Sequence, residues 1–373
     1  MKKSILSLAI FLAAQFALAA ITILTPRDGA VVSAIPESLR EYLAFDAQKR
    51  ASIMLDAEYR KGIAKTARHP AAIYFRWNAD SGENFVVELS ETKNFDAPIA
   101  VPAGKSSRTP KQFRSRVYNL KIAQNYFWRI KNTDTGEVTK TRMITVSDAS
   151  PRIMNISGVL NVRDLGGRLG LDNCRVKQNL IFRGRGLNNN SKDGKTAGKN
   201  MITADGIKYM TDVLKIKTDI DLRSPREVAD MAGSPLGGGV KWINISSTAY
   251  GGIYTEKGKA NYAKLFRLFC DEKNYPIYVH CIAGADRTGT ICYLLNAVLG
   301  VQDDLLEKDW EITICANTSV GFSWDKRFSK ILAGIEKFGT KEEPTVVKVE
   351  RYLKSAGITD EEIAKFRGIM LQN

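Results

Sequence analysis

The sequence predicts an α/β domain with a mostly parallel central sheet flanked by helices, preceded by an all-β sandwich domain. Three observations carry this. From residue 151 onward, apolar strand-like runs alternate with helical stretches, the order that builds a parallel sheet covered on both faces. Between residues 21 and 148, apolar and polar residues alternate with period two in short runs broken by turn residues. The length of 373 residues, with 44% hydrophobic and 25% charged side chains, suits a two-domain globular chain.

Taken in order, the first nineteen residues read as a signal peptide. Lys2 and Lys3 form a charged start, Ile5 to Ala14 is apolar, and Ala17-Leu18-Ala19 fits an A-x-A cleavage site. The apolar run is too short for a comfortable membrane span, so membrane association is not indicated after cleavage. The expectation is an exported bacterial protein, periplasmic or secreted.

Residues 20–148 read as the β domain, of immunoglobulin or fibronectin type III kind. Ile73, Phe75 and Trp77 alternate with Tyr74, Arg76 and Asn78; Phe85, Val87 and Leu89 with Val86, Glu88 and Ser90; and Tyr126, Trp128 and Ile130 with Phe127, Arg129 and Lys131. The stretch 37–65 is an exception. It is rich in Ala, Leu, Glu, Lys and Arg, lacks glycine and proline before Gly62, and reads as a helical insertion. No catalytic constellation is visible in this domain.

Residues 149–373 read as the α/β domain. Val159 to Gly167 is VLNVRDLGG, and Asn179 to Gly184 reads as a strand leading to a basic loop with Arg183 and Arg185. The polar run from Leu187 to Lys199 is a loop. Thr203 to Val213 reads as a helix capped by Thr203. Lys217 to Leu222 reads as a buried strand with Asp221 and Arg223 at its end, where sites collect in open α/β sheets. Val240 to Ile245 is a further strand and Asn261 to Cys270 a helix. Near the end, Thr359 and Glu362 form a capping box, with Ile358 and Ile363 spaced for a hydrophobic staple.

The centre of this domain is the stretch from Pro276 to Leu299. Ile277, Tyr278 and Val279 read as a buried strand, and Thr288 to Leu299 as a helix stopped by Gly300. Between them lies HCIAGADRTG, with the C-x5-R spacing from Cys281 to Arg287. A strand–loop–helix turn of this length wraps backbone N–H groups around a tetrahedral oxyanion, with a helix N-terminus aimed at it. The loop residues His280, Ile282, Ala283, Gly284, Ala285 and Thr288 are therefore candidate phosphate contacts. Gly284 permits the curl because it has no Cβ to meet a bound phosphate. Arg287 offers two N–H donors to two oxygens. Cys281, at the bottom of the cup, is a nucleophile whose thiolate form the same amides and dipole favour. Thr288 or Thr290 is placed to hydrogen-bond its sulfur. Arg183 and Arg223 are further candidate substrate contacts.

The formal net charge of +15 is spread over both halves. That fits attraction to anionic substrates and excludes the concentrated basic stripe of a nucleic-acid binder. The five cysteines do not make a disulfide framework; Cys270, Cys292 and Cys315 sit among apolar residues and read as core. With two histidines and no Cys-x-x-Cys pair, no metal site and no cofactor are expected. Nothing in the sequence specifies an oligomeric state.

HCIAGADRTG, with NVRDLGG upstream and FRGRG and DLRSPREV between, resembles the atypical bacterial tyrosine phosphatases of Listeria and mycobacteria. The resemblance covers residues 151–373. It implies a cysteine-phosphatase fold and hydrolysis of phosphate monoesters, protein phosphotyrosine foremost, through a phosphocysteine. It also implies Cys281 as nucleophile, Arg287 as phosphate clamp and Asp286 as the acid. The family commonly carries a lysine at the place of Ala285, linked there to phosphoinositide hydrolysis; the alanine counts against lipid substrates and not against phosphotyrosine. Two carboxylates compete for the role of general acid, Asp286 inside the loop and Asp221 at the neighbouring strand end, and the resemblance favours Asp286. Alternatives are an inositol-phosphate or phosphoinositide phosphatase and, in another class, a phospho-ligand-binding module without turnover.

Overall fold

The structure, a computed structural model, describes residues 21–106, 109, 111–188, 201–313 and 327–372. The leader, residues 189–199 of the polar loop and Cys315 lie outside the described residues. The chain divides into two compact units. One comprises the described residues of Met1–Ala30, Tyr74–Arg116 and Tyr126–Ile144; the other comprises Val31–Ile73, Val117–Asn125 and the described residues from Thr145.

The first nine strands are β1 (Ile21–Thr25), β2 (Ala30–Val32), β3 (Ile73–Ala79), β4 (Phe85–Ser90), β5 (Ile99–Pro102), β6 (Gly104–Lys105), β7 (Gln112–Val117), β8 (Gln124–Asn132) and β9 (Arg142–Val146). They form two sheets, in the orders β1-β3-β7-β6 and β2-β9-β8-β4-β5. Along β3 buried and exposed residues alternate at every position, as the period-two pattern requires. The inward rings of the two sheets meet: Phe75 contacts Trp128 edge-on at 4.8 Å, and Phe85 contacts Phe113 at 4.6 Å.

The helical stretch between β2 and β3 forms three helices, α1 (Glu37–Ala44), α2 (Ala47–Met54) and α3 (Ala57–Ala67). Asp46 and Asp56 cap the second and third by accepting from backbone amides of their first turns. These helices pack within the second unit, whereas the sequence places them as an insertion in the β domain. Leu39, Tyr42, Met54, Ile63 and Ala67 bury together with Ile312. Arg50 is fully buried, and a buried guanidinium requires acceptors. It donates to Glu311 and to Asp304, at 2.7 Å each.

The third sheet holds β10 (Arg163–Asp164), β11 (Ile181–Arg185), β12 (Thr218–Asp221), β13 (Lys241–Asn244) and β14 (Ile277–Cys281), in the order β10-β11-β14-β12-β13. All pairs are parallel except β10 with β11, so the mostly parallel sheet is present. Its helices are α4 (Ala204–Lys208), α5 (Glu256–Phe269), α6 (Asp286–Val298), α7 (Asp303–Glu311), α8 (Phe328–Ile335), α9 (Thr345–Ser355) and α10 (Asp360–Met370). The central β14 is buried at all five positions, as a strand covered on both faces must be. Register sets both Gly184 and Asp221 opposite His280, and Arg185 opposite Cys281, so three strands release their carboxyl ends at one place.

Helix α6 is buried from Thr288 to Val298, and Gly300 at φ +77° ends it as the sequence predicts. It starts at Asp286, two residues earlier than the apolar run suggests, and α5 likewise starts early, behind Thr255. Thr203 caps α4, and the capping box of Thr359 with Glu362 opens α10, with Ile358 and Ile363 buried in the same core. Among the described residues no helix is long and apolar enough to cross a membrane.

Candidate active site

Cys281 ends β14 and is 2% exposed; Asp286 begins α6. The intervening loop is held from behind. Asn161 Nδ2 donates to the carbonyls of Ala283 and Gly284 at 3.1 and 3.2 Å, and Arg183 Nη2 donates to Gly284 O at 2.7 Å. With those carbonyls fixed, and among the described residues, the amides of Ile282 to Arg287 donate to no protein acceptor. Six consecutive unpaired N–H groups beside a helix N-terminus make a receptor for an anion. Ile282 and Ala283 are half-buried at its rim, whereas Gly284 and Ala285 are buried.

Gly284 is required for a reason other than the expected one. Its φ is +67°, and an added Cβ would run into the Gly184 carbonyl of β11, not into a phosphate. Thr290 is not free for the sulfur, since its hydroxyl donates to Asp286 O at 2.9 Å and accepts from the Tyr250 amide at 3.0 Å. The Thr288 hydroxyl is buried without a partner.

Arg287 is anchored by a residue the sequence reading missed. Its Nη1 and Nη2 donate to the two carboxylate oxygens of Glu227 at 2.7 and 3.1 Å. Burial works against the charge of Arg287, but the bond to Glu227 and the Cys281 sulfur hold it above its ordinary pKa. Burial would raise Glu227 too, yet Arg287 and the Ser224 amide bring it to about 2. Glu227 is itself fixed by a capping box with Ser224, a signal that S-P-R-E in the sequence contained. Changing Glu227 to Gln is expected to free the guanidinium and raise KM for phosphate esters roughly 10-fold, with a smaller loss of kcat, in steady-state kinetics.

Four candidate residues turn inward instead of facing the cup. His280 is fully buried, with Nε2 3.0 Å from Asp219 Oδ1 and Nδ1 3.2 Å from Cys281 O. Arg223 is fully buried and donates to both oxygens of Asp221, at 2.9 and 2.6 Å. Arg183 donates to Asp309 as well as to Gly284 O. Asp221 is fully buried; burial would raise its pKa, but the charges of His280 and Arg223 hold it below the usual carboxylate range. A carboxylate so paired and sealed orients Arg223 and lacks both the proton and the access of a donor. Three of these side chains lie near the ends of adjacent strands, Arg183 on β11, Asp221 on β12 and His280 on β14, with Arg223 just past β12, and all four are buried.

Burial alone would lower the pKa of His280, but Asp221 and Asp219 override it and raise it to about 9. The folded value lies above the unfolded one, near 6.5. The stability this confers is complete below about pH 6.5 and is lost as pH rises through about 9. Urea titrations across that window should show falling stability, and His280→Gln should flatten the slope.

Asp286, half-exposed, accepts on one oxygen from the Tyr250 phenol and from Arg327 Nη1 at 3.1 Å. Beneath the loop, Asp309 accepts from Arg163, Arg168 and Arg183 at 2.9, 2.7 and 2.5 Å. Burial works to raise Asp309, but three guanidinium groups hold it far below the usual range. The cluster leaves two positive charges under the loop. Cys292, nearby, is pushed up to about 11 by burial, the behaviour of a core thiol. Among the described residues no group of three or more His, Cys, Asp or Glu side chains is placed to hold a metal ion.

An anion receptor over a buried cysteine, with a fixed arginine, is matched by a family comparison. A family model described as tyrosine phosphatase family matches residues 154–372. The chain belongs to the tyrosine phosphatase family. As a member it is a phosphoric monoester hydrolase. Solved structures similar to this phosphatase include the catalytic core of Siw14, at 12% identity and a TM-score of 0.28, covering 46% of this chain and 88% of that one. Another is the core catalytic domain of the PP-IP phosphatase SIW14 from S. cerevisiae in complex with citrate, at 12% identity and a TM-score of 0.25, covering 43% and 91%. A comparison with curated proteins returns no match.

Proposed function

We propose that this phosphatase hydrolyses protein phosphotyrosine through a phosphocysteine formed on Cys281. The observation that carries the reading is the row of unpaired amides from Ile282 to Arg287, closing over Cys281 beside an arginine already oriented by Glu227. The thiolate attacks phosphorus in line while the amides and Arg287 hold the equatorial oxygens. Asp286 protonates the leaving oxygen, and water then releases phosphate from the sulfur. The loop and the net positive cluster beneath it supply the charge stabilisation.

Hydrolysis of p-nitrophenyl phosphate with EDTA present tests this directly. Activity is expected to persist under chelation and to be lost on treatment with iodoacetate, with inorganic phosphate protecting against alkylation. Loss with EDTA and resistance to alkylation would overturn the mechanism.

A second reading is a phosphatase of polyphosphorylated alcohols such as inositol phosphates. Exposed Arg226, beside Glu227, and half-buried Arg327, on Asp286, favour it by adding two cations near the loop. Comparing kcat/KM for a phosphotyrosine peptide and an inositol polyphosphate separates the two.

The charged start, apolar run and A-x-A site of residues 1–19 support an exported, processed enzyme. N-terminal sequencing of protein from the source cells tests it. The paired aromatic sheets support an immunoglobulin or fibronectin type III kind of module ahead of the catalytic unit.

A further inference from the structure

We propose that Tyr250, together with Arg327, is a positioning residue that dictates which oxygen of Asp286 delivers the proton. The inference rests on the reading of Asp286 as the acid. The Tyr250 phenol and Arg327 Nη1 both donate to Oδ1 of Asp286. Among the described residues no hydrogen bond reaches Oδ2. A protonated carboxyl has one oxygen that only accepts and one that carries the hydrogen. Two donors on Oδ1 make it the accepting oxygen, so the proton resides on Oδ2.

Tyr250 is built to do this. Its backbone N–H donates to Thr290 Oγ1 at 3.0 Å, and that hydroxyl donates to Asp286 O at 2.9 Å. The tyrosine is thus fastened at both ends to α6, by its backbone to Thr290 and by its phenol to Asp286. Its φ is +54°, a left-handed conformation disfavoured for a residue with a side chain and kept only where neighbours over-determine it. Burial, reinforced by the charge of Asp286, pushes the phenol well above its ordinary pKa, so it remains a donor.

In the first step a sulfur–phosphorus bond forms and the phosphorus–oxygen bond breaks. The Oδ2 proton passes to the departing oxygen, leaving Asp286 as carboxylate. In the second step water attacks phosphorus, gives a proton back to Oδ2, and the thiolate is released. Tyr250 and Arg327 hold the carboxylate in place between the two.

The test compares Tyr250→Phe, Arg327→Gln and Asp286→Asn on p-nitrophenyl phosphate, a good leaving group, and phenyl phosphate, a poor one. Tyr250→Phe is expected to lower kcat roughly 10- to 100-fold on phenyl phosphate and only about 3-fold or less on p-nitrophenyl phosphate. Arg327→Gln should show the same selectivity to a smaller degree, and it carries the test if melting curves show that Tyr250→Phe does not fold. Equal losses on both substrates, or none, in the folded variants would overturn the proposal. If Asp286→Asn is strongly selective and the two positioning variants are not, this inference alone falls. If Asp286→Asn shows no selectivity, the acid assignment itself is wrong and the inference falls with it.

Discussion

Cys281→Ser is expected to lower turnover on the order of 10⁴- to 10⁶-fold, the range for removal of an enzyme nucleophile. A serine hydroxyl is hardly ionised at neutral pH. Binding should survive. Asn161 and Arg183 fix the loop carbonyls, and Glu227 fixes Arg287, none through the sulfur. Inorganic phosphate or vanadate should therefore bind Cys281→Ser within a few-fold of wild type by calorimetry, an estimate resting on the retained charge-assisted donors. Near-normal turnover in the serine variant would remove Cys281 from the mechanism, and lost binding with lost turnover would assign it to the frame.

Asp286→Asn is expected to lower kcat roughly 10²- to 10⁴-fold on an alkyl phosphate, the usual range for loss of a general acid. Asparagine keeps the shape and an accepting oxygen for Tyr250 and Arg327, so structural damage should be small. The alkaline limb of the kcat profile, where loss of the acid's proton shows, should flatten. Asp221→Asn should keep that limb. Its effect is expected on stability, because Arg223 would remain buried with its ionic partner removed. If the two variants behave the other way round, the carboxylates exchange roles.

The loop that carries the proposed nucleophile and clamp is legible because one local segment holds it. Cys281, Gly284 and Arg287 lie within a single strand, loop and helix, and the spacing alone brings them together. Their support was not legible, because it comes from far along the chain. Glu227 reaches Arg287 across 60 positions, Asn161 reaches the loop across 122, and Arg183 reaches Asp309 across 126. Arg327 and Tyr250 arrive on Asp286 from 41 and 36 positions away. A sequence pattern shows that an arginine ends a strand, but not whether a carboxylate is waiting to bury it. That is why Arg183, Arg223 and His280 read as substrate contacts, while in the structure their side chains reach internal carboxylates. Period two revealed β3 and β8 because each has one wetter face, whereas β4 is buried at five of its six positions. The helices from Glu37 to Ala67 were recognisable from propensity, while their packing partner depends on Ile312 and Glu311, far downstream.

Arg50 also has a consequence for the timing of synthesis. It precedes its partner Glu311 by 261 positions. At typical elongation rates it leaves the ribosome roughly 10 to 50 s before that carboxylate exists. For that interval, helices α1 to α3 have an apolar face and an arginine whose carboxylate partners, Asp304 and Glu311, are not yet made, while the strands that follow them are being made. The catalytic unit therefore closes around a segment translated early, and its completion waits on the last third of the chain. An expression clone begun at residue 149 would omit this segment and leave Glu311 without its arginine.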